Sequence, residues 1–238
     1  VYKRQGSAGP ILEAAPESVV PGGQRPSVRT PRLARRGVDQ ERPRLAPGTI
    51  DGPEPPVAPA VISRDAQRRA TVRATRVTEE IQMDGQLDEQ VYQTVQAITE
   101  FIQQMPNPGA PSTERTEAWI LFDAENLYVA GRIWDSAPPS QWVANEMRRD
   151  SDQLRQNDAF HVLLDTFYDR RNGVVFYTNA LGAIADFAIT NESNPNSDWN
   201  PVWNAQTARF EGGWTVEMQI PFRSLRYRPG PDQVWGLQ

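Results

Sequence analysis

From residue 71 onward the chain is written in short runs of alternating apolar and polar side chains, each closed by turn-forming residues. That texture predicts antiparallel strands with a buried face. Residues 202–210 and 214–220 flank Glu211-Gly212-Gly213, the clearest hairpin signal in the chain. Residues 114–122 and 127–134 flank Asp123-Ala124-Glu125-Asn126, and both runs are apolar on both sides, as in the central pair of a sheet. Further strands are expected at 71–77, 81–83, 159–167, 174–180 and 184–190, with a short helix between Leu87 and Thr94. No alternating helices of the kind that accompany a parallel sheet are visible, so the predicted fold is all-β: an antiparallel two-sheet β-sandwich of jelly-roll or immunoglobulin-like type. Polar loops are expected at 136–157 and 191–200, and loops of that length often carry function.

Composition locates the fold. Residues 1–76 hold 11 of the 21 prolines and none of the seven tryptophans, with 14 basic residues against 7 acidic ones. A Pro- and Arg-rich tract without large apolar groups cannot bury enough surface to offset its ordering entropy, so residues 1–60 are expected to be disordered and the folded unit to span 72–238. Arginines scattered among prolines with no aromatic platform do not make a nucleic-acid arm. With no cysteine, neither a disulfide framework nor a thiolate metal site is available. No apolar run reaches the roughly 20 residues of a membrane-spanning helix. The opening Val1-Tyr2-Lys3-Arg4-Gln5 reads as a translated sequencing adapter, and both natural termini are expected to lie outside this sequence.

Three segments together carry a family likeness: Ile81-Gln82-Met83-Asp84-Gly85-Gln86-Leu87-Asp88-Glu89, Leu127-Tyr128-Val129-Ala130, and Asn157-Asp158-Ala159-Phe160-His161-Val162-Leu163-Leu164-Asp165. The chain resembles the family 9 carbohydrate-binding modules. A narrower likeness rests on Arg148-Arg149-Asp150-Ser151, on residues 165–173, and on Trp199-Asn200-Pro201-Val202-Trp203 followed by Gly213-Trp214-Thr215-Val216-Glu217. It is to the amino-terminal domain of large bacterial proteins in which such a module precedes a region similar to an outer-membrane β-barrel. The resemblance implies sugar binding, a parent exported to the periplasm, the outer membrane or the medium, a carboxyl-terminal barrel as partner domain, and an association with polysaccharide catabolism.

A sugar site needs aromatic faces for the C–H side of the ring and planar polar groups for its hydroxyls. Trp142 and Trp199 stand in the polar loops and are candidate platforms, whereas the other five tryptophans fall on or beside strands, as core residues do. As the family aligns, Arg155 stands where a clamp aromatic is expected, His161 near an expected carboxylate and Tyr177 at an expected arginine, so these three complete the candidate set. His161 shares a strand face with Leu163 and Asp165, and as the single histidine it belongs to no multi-histidine metal centre. Asp158, Asp165 and Asp169 form a carboxylate-rich stretch with hard oxygen donors of the kind calcium takes, and the family resemblance implies use of that ion. Their alternative role is in turns and in salt bridges with neighbouring arginines. No nucleophile elbow, Ser-His-Asp order or Gly-rich phosphate loop is present, so the expected role is a non-catalytic binding module. Two other classes remain open on the sequence: a structural periplasmic domain that has lost the sugar clamp, and part of a glycoside hydrolase.

Overall fold

The computed structural model describes residues 50–192 and 195–238. The disorder expected for residues 1–49 lies outside this range. The strands are β1 (Ile62–Arg64), β2 (Ala70–Val72), β3 (Thr75–Arg76), β4 (Thr116–Phe122), β5 (Asn126–Trp134), β6 (Ala159–Asp165), β7 (Gly173–Asn179), β8 (Ile184–Ile189), β9 (Asn204–Phe210), β10 (Gly213–Pro221) and β11 (Gly236–Leu237), with one short helix, α1 (Gln90–Thr94). They make a five-stranded sheet in the order β3-β4-β5-β10-β9 and a four-stranded sheet in the order β11-β6-β7-β8, beside a separate β1-β2 ladder. The fold is the expected all-β sandwich.

Alternation along β5 shows how the two layers are specified. Leu127, Val129 and Ile133 point between the sheets, where they meet Val216, Met218 and Ile220 of β10 and Val162, Leu164 and Phe176 of the facing sheet. Tyr128 and Ala130 point the other way and, with Trp119 and Leu121 of β4, form a second apolar surface. Residues 77–95 cover that surface with Val77, Ile81, Leu87, Val91 and Tyr92. Phe176 and Met218 are wholly buried, and each contributes roughly 1.5–3 kcal/mol of transfer free energy.

The covering segment is held by polar contacts as well as apolar ones. Gly85 donates its amide to Glu217 Oε2 at 2.9 Å, and Thr215 Oγ1 donates to the Gly85 carbonyl at 2.6 Å. This turn needs glycine, because φ is +84° and an added Cβ would lie 2.6 Å from the Thr207 carbonyl carbon.

Two local expectations are corrected. The run at 71–77 is two strands: Arg73 donates its amide to Val61, after which β3 pairs in parallel with β4. Residues 81–83 form no strand, since the Gln82 amide goes to Glu89 Oε1 at 2.8 Å and the Asp84 amide to the Gln82 carbonyl at 2.9 Å. Order also begins earlier than residue 72. Val61 is buried, and Asp51 accepts from Arg69 and Arg170 while its amide donates to the Tyr168 hydroxyl.

Candidate functional site

Because Val162, Leu164 and Phe176 point into the core, their strand neighbours His161, Leu163, Val175 and Tyr177 point out of the four-stranded sheet, joined by Phe187 and Ile189 of β8. Among the described residues, no apolar core cluster includes any of these six. With Arg155 and Gln238 at its rim, this face forms a hollow of about 270 Å³. It is of a size for one or two sugar rings, or for a short chain segment.

The register places His161 directly opposite Tyr177, and their rings stack with centroids 5.4 Å apart and planes inclined by 11°. Desolvation lowers the pKa of His161, although part of the imidazole stays open to solvent, and so favours the neutral ring, which both donates and accepts. Burial pushes the Tyr177 hydroxyl up to about 12, so it remains a donor. Phe187 lies opposite Val175 and carries the Arg155 guanidinium 5.0 Å from its ring centre.

Arg155 reaches this face because the 136–157 loop is pinned. Leu154 beside it is fully buried, and Ser151 Oγ accepts the Gln153 amide to start the short 3₁₀ turn Asp152–Gln156 that carries the arginine. Asn157 Oδ1 accepts from the amides of Asn145 and Glu146 and from Asn179 Nδ2 of β7, the last at 2.9 Å. Glu146 accepts from Arg148 and from Ser151 Oγ, contacts that hold its pKa far below the usual carboxylate range. A smaller void of about 20 Å³, room for one water, adjoins the hollow and shares Arg155, Tyr177 and Phe187 with it. Asp186 stands there with Oδ2 held by Arg149 at 2.6 Å and by the Trp203 indole at 2.8 Å.

The structure therefore brings Arg155, His161 and Tyr177 into one hollow and places Trp142 and Trp199 elsewhere. Trp142 is half-buried, donates its indole N–H to the Ala137 carbonyl at 3.0 Å and lies under the Arg209 guanidinium. Trp199 packs edge-on against Phe176, ring centres 5.7 Å apart. Both rest against the inter-sheet core. Leu163, Val175, Phe187 and Ile189 were missed by sequence reasoning. Their signal was the apolar character of both faces of 174–180 and 184–190, which reads as a strand buried on both sides.

The proposed calcium set does not converge. Asp158 and Asp165 flank or end β6, roughly 20 Å apart by the rise of an extended strand. Asp158 Oδ2 accepts the Val143 amide, and Asp169 accepts from the Arg171 and Asn172 amides and the Asn172 side chain. Asp165 Oδ2 accepts the Arg170 amide, while its buried Oδ1 has no partner among the described residues. No group of three or more acidic or histidine side chains among the described residues is arranged to hold a metal ion. The three aspartates serve turns and a strand end, and they do not fit a shared cation.

Residues 83–238 match the model of the carbohydrate family 9 binding domain-like family. Among solved structures, the chain is similar to a family 9 carbohydrate-binding module from Caldicellulosiruptor kristjanssonii in complex with glucose, at 17% identity over 69% of this chain and 75% of that one, with a TM-score of 0.43. The same organism's module in complex with cellotriose gives 15% identity over 69% and 74% of the two chains, with a TM-score of 0.44. No curated protein matches the chain.

Proposed function

The chain belongs to the carbohydrate family 9 binding domain-like family, and on that footing we propose that its folded unit is a non-catalytic module that binds an oligo- or polysaccharide in the hollow of the four-stranded sheet. The observation that carries this reading is the stacked His161–Tyr177 pair, set beside Phe187 and Arg155 on a concave face. Aromatic surface suits the C–H face of a sugar ring, and the imidazole, phenol and guanidinium supply donors for its hydroxyls. The parent is a bacterial protein exported to the periplasm or outer membrane, where the module holds a glycan near a following β-barrel and serves polysaccharide catabolism.

A hydrolase would need two carboxylic acids flanking the scissile bond, about 5–10 Å apart. The side chains lining the hollow include no carboxylate, which supports binding over hydrolysis.

A second reading draws on the lining itself. Leu163, Val175 and Ile189 are aliphatic and offer a sugar no hydrogen bonds, which favours a structural periplasmic domain whose open face packs against its own barrel. Calorimetric titration of the 238-residue chain with a panel of soluble oligosaccharides separates the two. Saturable binding lost in Tyr177→Ala supports the module. A folded chain that binds no sugar overturns it and leaves the structural reading.

A further inference from the structure

We propose that the hollow selects an acidic saccharide, a glycan bearing uronic acid residues, with the Arg155 guanidinium as the partner of the sugar carboxylate. This rests on the carbohydrate reading and adds the class of sugar.

Arg155 is the one side chain lining the hollow that is ionised at neutral pH. It makes no hydrogen bond or ion pair with any described residue. Its neighbours in the same loop are engaged, Arg148 to Glu146 and Arg149 to both Asp150 and Asp186. The contact with Phe187 is made through the charge over the ring and consumes none of the five guanidinium N–H donors. Unspent donors in a fork geometry match a carboxylate, which they grip through two parallel hydrogen bonds. A neutral sugar hydroxyl would engage them singly.

The nearby acids are engaged elsewhere or exposed. Asp150 and Asp186 share the single charge of Arg149, Asp158 Oδ2 accepts the Val143 amide, and Asp152 is exposed to solvent. The chain as a whole is acidic, at −5, which opposes an anion at long range. At physiological salt that repulsion is screened beyond about 8 Å, so the guanidinium in contact decides the sign. His161, held neutral, adds a donor and an acceptor for the ring hydroxyls beside the carboxylate.

The test is titration calorimetry of the 238-residue chain with oligogalacturonate, oligomannuronate and oligoglucuronate, each beside its carboxyl-reduced neutral counterpart. The expected result is an acidic form bound about tenfold more tightly than its neutral twin. The gap should narrow as salt is raised and vanish in Arg155→Gln, with Arg155→Lys retaining part of it. Arg155 is exposed, and thermal melts of both variants establish that they fold. Equal affinity for the acidic and neutral forms, or a preference that survives in Arg155→Gln, overturns the proposal while the carbohydrate reading stands. Binding of neutral cello- or xylo-oligosaccharides without any of the acidic ones does the same. A chain that binds no saccharide at all overturns the carbohydrate reading, and this proposal with it.

Discussion

Tyr92 on helix α1 donates its hydroxyl to Glu217 on β10 at 2.9 Å, across 125 residues of chain. The other carboxylate oxygen takes the Gly85 amide, so one buried side chain ties two points of the segment that covers the five-stranded sheet. Glu217 is 2% exposed, and burial, with a further contribution from Glu89, pushes its pKa up to about 7.

Between the ordinary carboxylate value and about 7, the folded state therefore holds a proton on Glu217 that the unfolded chain releases. Unfolding free energy from this group is fully present below about pH 4.5 and declines as pH rises towards 7, by about 3 kcal/mol in all. Glu217→Gln, which cannot ionise, should lose that slope. The difference in Tm between wild type and Glu217→Gln should shift in favour of the variant as pH rises from about 4.5 to 7. A constant difference across that window would show that Glu217 does not titrate there.

Replacing Gly85 by alanine forces a Cβ into the Thr207 backbone at a positive φ. The expected cost is more than about 2 kcal/mol, read from chemical denaturation. Gly212→Ala has the same sign of φ and nothing within 4 Å of the added carbon, so it should cost about 1 kcal/mol from backbone conformation alone. Equal losses would remove the steric argument.

Asn179 is fully buried, and its side-chain amide bonds to the Glu146 carbonyl and to Asn157. Asn179→Ala takes this partner from the Glu146 carbonyl and from the Leu181 and Ala183 amides, and removes one of the three donors to Asn157 Oδ1, at an expected cost of about 2–4 kcal/mol. Hydrogen exchange should quicken in residues 143–157, and saccharide affinity should fall because Arg155 rides on that loop. Unchanged exchange in the loop would show that its order does not depend on Asn179.

Substitutions at Trp142 and Phe187 distinguish the hollow from the loop tryptophans as the place of binding. Trp142→Phe removes the hydrogen bond to Ala137 and should lower Tm while leaving saccharide affinity within about twofold of wild type. Phe187→Ala removes a wall of the hollow and should weaken binding about tenfold. The reverse pattern would move the site to the loops.

The sandwich was legible where local chemistry and tertiary pairing agree. Asp123–Asn126 and Glu211–Gly213 turn β4 into β5 and β9 into β10 as their residues indicate. Where a side chain took over a backbone partner, pattern misled: residues 81–83 have strand periodicity, yet the Gln82 amide is committed to Glu89. The candidate site shows the same division. Arg155, His161 and Tyr177 were reached from family positions, and the pairing of β6 with β7 brings the last two together. Trp142 and Trp199 stand in polar sequence and read as exposed, but a polar loop folded over a sandwich edge buries its largest residue first. Nothing local marks Phe187 or Ile189 as outward-facing, because that follows from which sheet receives a covering layer.

The hollow has a floor and a rim of different make. Its floor is strand side chains whose neighbours in sequence fill the core, so a change there is answered by the whole sandwich. Arg155 belongs to a surface loop anchored by a few asparagine and glutamate contacts, and its own side chain supports no part of the core. A substitution at the rim can thus change the charge and donors that the hollow presents without loss of folding.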